Sequence, residues 1–414
     1  MEQEMLQRLV TNAVREMRLP SRSEGRGSHV LTLVDAVLDA ALDEEATDIH
    51  LEPTEEGLRI RVRVDGLLRP YPSLLPAAIA PVVIARLKVM AGIDTAKRNR
   101  PQDGQIRYPH GERSVDMRVA VLPVVGGERM VVRIMDGTER FLHCRELGFT
   151  PENEAIFERL IHRPTGLLLV CGPMNSGKTT TLYAALAELN DPNCHIMTLE
   201  DPVERRIDGI SQFAVCPEAG LTFVAGLRAA LRQDVQKILL GEIRDRETAE
   251  MAVRIALTGH ALFSTLHTED CVAAIFRMIE MGTPPYLLAA TLSGVVAQRL
   301  VRRVCVYCRE TYTVAAGSDE ALLLGPLYHE GVTTLVRGCG CPHCHGSGYH
   351  GRMAIHEMLP ISERIRTAIL AAKSRDELRR AAEAEGMRSL WQDGAAKAIE
   401  GETTLEEVER ALYG

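Results

Sequence analysis

Residues 172–181 read GPMNSGKTTT, a glycine, four assorted residues, then Gly-Lys-Thr. The stretch satisfies G-x-x-x-x-G-K-[ST] and lies between the apolar run GLLLVCG and the helical run KTTTLYAALAEL. A strand, a tight loop and a helix in that order aim backbone N–H groups and a helix N-terminus at one point, which makes an anion cradle. Lys178 would reach the β- and γ-phosphates of ATP, and Thr179 would hold Mg²⁺. Gly172, Pro173, Met174, Asn175, Ser176, Gly177, Lys178, Thr179 and Thr180 form the candidate nucleotide-binding set. Met174 and Asn175 stand where such a turn favours small residues. Asn readily accepts positive φ, and Met174 can point outward while its N–H still serves.

Working outward, short apolar runs alternate with helical stretches from about residue 150. GLLLVCG, HIMTLED, KILLGEI and ALFSTLH read as strands of a parallel sheet flanked by helices. Their carboxyl ends carry chemistry. MTLEDPVE (197–204) supplies Glu200, Asp201 and Glu204; ILLGEIRD (238–245) supplies Glu242; TGHALFSTLHT (258–268) supplies His260 and His267. Singly, these are compatible with a surface carboxylate cluster, a capping glutamate and structural histidines. On successive strand ends of an open α/β sheet they read as one site.

The rest of the chain frames that core. Residues 3–18 space Leu6, Leu9, Val10, Ala13, Val14 and Met17 on one helical face, and PSRSEGRGS (20–28) reads as a linker. Between about 30 and 135, helical patterns (LTLVDAVLDAALDEEA, PAAIAPVVIARLKVMAG) mix with alternating strands such as GLRIRVRVDGLLRP, a small α+β domain. The tail from 356 is helical and highly charged, and reads as a solvated cap. A net charge of −8 and only 4% aromatics argue against general nucleic-acid binding, which takes basic surplus and stacking rings. No apolar run approaches the ~18 residues of a membrane span, and MEQEMLQRLV lacks a signal-peptide core. A cytoplasmic protein is expected, its ten cysteines thiols or metal ligands rather than disulfides.

GPMNSGKTTTLY, MTLEDPVE, LRQDVQKILLGEIRDRETA and TGHALFSTLHT resemble, in order, the Walker A, Asp-box, Walker B and His-box signatures of the secretion traffic ATPases. These are hexameric motors of type II secretion and type IV pilus assembly. ATDIHLEP (46–53), RVRVDGLL (61–68) and RPQDGQIR (100–107) resemble that family's second N-terminal domain. The resemblance implies a RecA-like P-loop core with a small N-terminal α+β domain. It makes Glu242 the glutamate that polarises the attacking water. It places Glu200, Asp201 and Glu204 near Mg²⁺ and the γ-phosphate, with His260 and His267 in the same site. It also makes Arg118, Arg133, Arg228 and Arg232 the arginines that approach the phosphates, the first two from the small domain. The family usually has Thr-Gly at Met174-Asn175 and Pro-Asp at Val235-Gln236. Neither departure removes a group with a chemical task.

CVYC (305–308) and CPHC (341–344) are two C-x₂-C knuckles separated by 32 residues. Cys305, Cys308, Cys341 and Cys344 at that spacing can close on one tetrahedral Zn²⁺. GCGCPHCHGSGYHGRMAIHEML (338–359) resembles the metal-binding subdomain of the secretion and pilus-extension ATPases. Cys339, His343 and His345 are competing ligands, whereas Cys144, Cys171, Cys194, Cys216 and Cys271 read as ordinary buried thiols.

The expected segments are 1–28 (helix and linker), 29–136 (α+β domain), 137–150 (connection), 151–300 (ATPase core), 301–355 (zinc subdomain) and 356–414 (helical region). The expected protein is a cytoplasmic homohexamer that drives type II secretion. It would work at the inner membrane through platform and docking proteins, the 3–18 helix either replacing a docking domain or packing on this chain's own small domain. A pilus extension motor is the alternative within the class; a DNA-translocating ATPase and a non-enzymatic nucleotide sensor are alternatives outside it.

Overall fold

The computed structural model describes residues 8–14, 28–71, 74–135, 143–371 and 374–414, and the chain divides into two units, Met1–Glu139 and Arg140–Gly414. Most of the expected linker, and residues 137–142 of the expected connection, lie outside the described residues.

In the first unit, β1 (Asp48–Pro53), β2 (Gly57–Val64), β3 (Leu67–Pro70), β4 (Leu75–Pro76), β5 (Gln102–His110), β6 (Arg113–Val124) and β7 (Gly127–Met135) make one antiparallel sheet. The order is β3-β2-β1-β7-β6-β5, with β4 paired to β2. Strand alternation sends Ile49, Leu51, Ile60, Val62, Met117 and Val132 into a core with Leu33, Val37, Val83 and Leu87 of the helices Ser28–Asp43 and Ala80–Met90. The intervening positions carry Arg61, Arg63, Arg118 and Arg133 on the opposite face. Arg118 and Arg133 are direct cross-strand partners, a like-charge pairing that is unfavourable without a nearby anion. Asp48 offsets part of it, with Oδ1 3.0 Å from Arg133 Nε and Oδ2 3.4 Å from Arg63 Nε.

Residues 8–14 are helical. Ala13 is buried, and Leu9, Val10 and Val14 pack on the same core. This part of the 3–18 stripe therefore covers the chain's own small domain instead of presenting a docking face, because that domain's core has apolar surface to complete. Leu6 and Met17 lie outside the described residues.

In the second unit, β8 (Gly166–Cys171), β9 (Ile196–Glu200), β10 (Ser211–Ala214), β11 (Lys237–Leu240), β12 (Ala261–Leu266), β13 (Leu292–Val304) and β16 (Tyr349–Pro360) form one sheet in the order β10-β9-β11-β12-β8-β13-β16. All neighbours are parallel except β13 and β16. Leu167, Leu169 and Cys171 of β8 enter one core while Leu168 and Val170 enter the other. Burial on both faces is why this strand is continuously apolar in sequence. Because the strands run the same way, the segments following β8, β9, β11 and β12 share one edge.

β14 (Arg309–Thr313) and β15 (Thr334–Gly338) form a separate ribbon between β13 and β16. The boundaries expected at 300/301 and 355/356 fall inside β13 and β16. The cysteine module is thus an insertion between adjacent strands of the main sheet. Nor is the tail merely a solvated cap. Ile365, Ile369, Leu378 and Ala382 of the helices Glu363–Leu370 and Arg375–Glu383 enter the main core. Helix Leu390–Ile399 covers the edge strand β16 with a buried ion pair, Lys397 Nζ to Asp393 Oδ2 at 2.5 Å. Asp393 accepts the N–H of His356 (2.8 Å), and Lys397 donates to the carbonyl of Ala354 (2.9 Å). Edge groups that would template another strand are thereby satisfied.

Candidate functional site

The loop after β8 has the strained geometry its sequence calls for. Gly177, the N-cap of helix Lys178–Leu189, has φ 86°, and Gly172 has φ 154°. Asn175 takes φ 61°, the left-handed conformation expected of it, and Met174 is 80% exposed, pointing away as expected. Thr179 and Thr180 follow in the helix's first turn. Ser176 is buried.

Lys178 is also buried, and its Nζ donates to the carbonyls of Gly172 (2.9 Å) and Pro173 (2.7 Å), across the mouth of the loop. Burial pushes its pKa down to about 8, although Cys171 and Glu242 favour the charged form. Phosphate binding needs the ammonium. ATP affinity is therefore expected to be full below pH 8 and to fall by about tenfold per pH unit above it, because binding then takes up a proton. Titrating ATP between pH ~7 and ~9.5, with Lys178→Met as control, checks this. A flat profile in the unsubstituted protein would show that the Lys178 ammonium does not contact the phosphates.

Glu242 lies two residues past β11, its side chain 14% exposed. One carboxylate oxygen contacts Arg244, and the other lies 3.4 Å from Nε2 of His267, which follows β12. Burial lowers the pKa of His267, with the field of Lys178 acting the same way and Glu242 opposing both. The Arg244 guanidinium is held charged by its hydrogen bond to Glu242, against burial, and by the field of Asp201. Lys178, Glu242, Arg244, His267 and Asp201 thus form one electrostatic neighbourhood at the carboxyl edge. Sequence reading passed over Arg244, although its place two residues after Glu242 in GEIRD was a usable signal.

Other expected members fall elsewhere. His260 precedes β12, its carbonyl accepting from Gly166 N at the start of β8 (3.1 Å) and its Nδ1 meeting Thr258 Oγ1 (3.1 Å). It sits at the amino edge, separated from His267 by the length of a six-residue strand, roughly 20 Å. The structure does not bring it to the loop. Glu200 is buried, and its carboxylate accepts hydrogen bonds from Tyr183, Thr198 and Gln212 (3.3 Å for the last). It ties β9 and β10 to the helix behind the phosphate loop. Asp201 and Glu204 are exposed just beyond β9. Arg228 pairs with Glu247 (3.3 Å), and Arg232 donates to the carbonyl of Arg228 (2.9 Å); both are exposed. Arg118 and Arg133 belong to the first unit.

The four cysteines form a second centre. Sγ–Sγ separations are 3.8 Å for Cys305–Cys341, 3.8 Å for Cys308–Cys344 and 3.7 Å for Cys341–Cys344. A tetrahedron with metal–sulfur distances of about 2.3 Å has edges of about 3.8 Å, so the donor set fits Zn²⁺. Cys344 also accepts from the N–H groups of Cys341 and Gly348, both at 3.2 Å. Among the described residues this is the one His, Cys, Asp or Glu cluster of ligand geometry. His343 stacks on Tyr307 with ring centroids 4.0 Å apart, and neither Cys339 nor His345 joins the set. Of the remaining thiols, Cys144, Cys171 and Cys271 are buried as expected. Cys194 is half-buried, and Cys216 is exposed because it lies in the turn after β10.

The model of the type II/IV secretion system protein family matches residues 24–410. The chain is 44% identical over 382 residues to type II secretion system protein E of Pseudomonas aeruginosa, covering 92% of this chain and 75% of that protein. It is 43% identical over 393 residues to the type IV pilus assembly ATPase PilB of Thermus thermophilus, covering 95% of this chain but only 44% of that one. The X-ray structure of the Legionella pneumophila ATPase DotB superposes with a TM-score of 0.68 at 21% identity, covering 95% of this chain and 96% of that one, which shows a shared fold. No described helix is long and apolar enough to cross a membrane. Matched over nearly its whole length, the chain belongs to the type II/IV secretion system protein family.

Proposed function

We propose that this chain is an ATPase that drives protein export by a type II secretion machine. The observation that carries the reading is Glu242, half-buried at the carboxyl edge within the field of Lys178 and contacted by Arg244 and His267. Lys178 and the loop N–H groups bind the ATP phosphates, and Glu242 orients and deprotonates the attacking water. His267, its pKa lowered by burial, lies against one oxygen of that carboxylate. Thr179 would hold Mg²⁺, which supplies charge neutralisation at the phosphates. Cys305, Cys308, Cys341 and Cys344 would hold Zn²⁺ in a closed shell that supplies cross-linking only.

The chain works as a homohexamer at the cytoplasmic face of the inner membrane, through platform and docking proteins. Arg118 and Arg133, two guanidinium groups side by side on an open sheet face, are suited to offset phosphate charge delivered by a second chain. The pilus-assembly alternative rests on the similarity to the Thermus protein. Deletion of the gene in its own host separates the readings. Exported enzymes should accumulate in the periplasm while surface piliation persists. Lost piliation with normal export would install the pilus reading instead.

A further inference from the structure

The phosphate loop is shaped from outside by a residue more than a hundred positions away. Gln298 lies in β13, beside β8, and is fully buried. Its Nε2 donates to the carbonyl of Ser176 (2.7 Å), and its Oε1 accepts from Thr181 Oγ1 (2.9 Å). These two bonds fix which way round the amide sits, because only its nitrogen donates and only its oxygen accepts. A Cβ built on Gly172 would lie 2.5 Å from the backbone oxygen of Gln298, and one on Gly177 would lie 3.1 Å from its Nε2. Both motif glycines are therefore packed directly onto this one residue.

We propose that Gln298 is the positioning residue that sets the nucleotide-binding curve of the phosphate loop. In a trans peptide the carbonyl and the following N–H point in opposite directions. By holding the Ser176 carbonyl, Gln298 turns the N–H of Gly177 to the other side of the loop, where an anion would be met. Thr181 acts one turn further on by locking the amide. His356, the cross-strand partner of Gln298, is fully buried and packs on Phe149 (centroids 4.2 Å apart), so it adds packing on this side of the sheet. A lone glutamine inside GVVAQRLV marks the position in sequence, since a buried amide must find partners.

The inference rests on the nucleotide-binding reading, and one set of titrations separates the two. Fluorescent ADP is titrated into the full chain and into Gln298→Met, Thr181→Val and Thr181→Ser. Each hydrogen bond is worth a factor of a few, so Gln298→Met should weaken ADP binding about tenfold and Thr181→Val about threefold. The double variant should be no weaker than Gln298→Met, since both bonds act through one amide. Thr181→Ser, which keeps the hydroxyl, should bind like the unsubstituted chain. In steady-state hydrolysis the loss should appear in KM, with kcat changed less than about twofold, because Gln298 touches no reacting atom. Amide exchange at 176–178 should quicken in Gln298→Met. Should Gln298→Met not fold, Thr181→Val, nearly isosteric, carries the test alone. Unchanged affinity and loop exchange in a folded Thr181→Val or Gln298→Met overturns the proposal. Failure of the unsubstituted chain to bind ADP overturns the functional reading itself.

Discussion

Replacing Glu242 by glutamine is expected to abolish ATP turnover while leaving ATP bound. The substitution keeps the side chain's length and one acceptor oxygen but removes the negative charge that draws a proton from water. General-base groups contribute roughly 10²–10⁴ in rate, so turnover should fall by about 10³. Binding should hold within about threefold, because the phosphate contacts come from Lys178 and the loop. Lys178→Ala is expected to fail differently. It removes the cation that spans the loop's mouth, and charge-assisted contacts to phosphate are the strong ones. Its ATP affinity should fall on the order of 100-fold, and turnover with it. One precaution follows from the electrostatics. Glu242 helps keep Lys178 charged against burial, so Glu242→Gln pushes the Lys178 pKa further down, and both variants should be compared near pH ~7. Equilibrium binding of a fluorescent ATP analogue and steady-state phosphate release provide the two readouts. Near-normal turnover by either variant would remove it from its assigned role.

Strands buried on both faces could be read directly, since β8, β9, β11 and β12 have almost no solvent-exposed side to impose a polar alternation. The loop was legible for the same local reason: Asn175 and the two glycines encode their own dihedral angles. The site's membership was only partly legible. His260 and His267 bracket one strand and look equivalent in sequence, yet strand direction puts them at opposite edges. Glu200 and Asp201 are adjacent, but the first ends β9 and is buried under Tyr183, whereas the second lies past the strand's end at the surface. Gln298 reaches the loop only through the pairing of β8 with β13, a non-local contact that no spacing rule contains. The two borders placed around the cysteine module fall inside strands for a related reason. A change in composition at the cysteines marks where the ribbon begins, whereas the strands that carry it run on through both borders.

That continuity gives the metal centre its largest expected effect. Cys305 directly follows β13, and Cys344 lies five residues before β16, so the four thiols staple an insertion whose own core is small. Val314, Ala321, Leu324 and Leu335 provide it, leaning on Ala395 and Ala398 of the helix that covers β16. A core of that size does not order a segment of some forty residues unaided, and a cross-link supplies what burial cannot. Purified protein should contain about one zinc per chain. Cys341→Ser/Cys344→Ser should contain almost none, because two ligands cannot hold what four thiolates hold with about 10–16 kcal/mol of binding free energy. The variant should then be cut by protease within 305–348, and the same sites should open in the unsubstituted protein treated with chelator. The main sheet should persist, since β13 and β16 remain paired through Gly294–Arg302 without the module. Nucleotide binding should accordingly survive metal loss while the insertion does not. Zinc retained in full by the double variant would move the ligand set to other residues. A resistant, zinc-free insertion would show that its small apolar core suffices alone, and that the cysteines sit together for some purpose other than holding it folded.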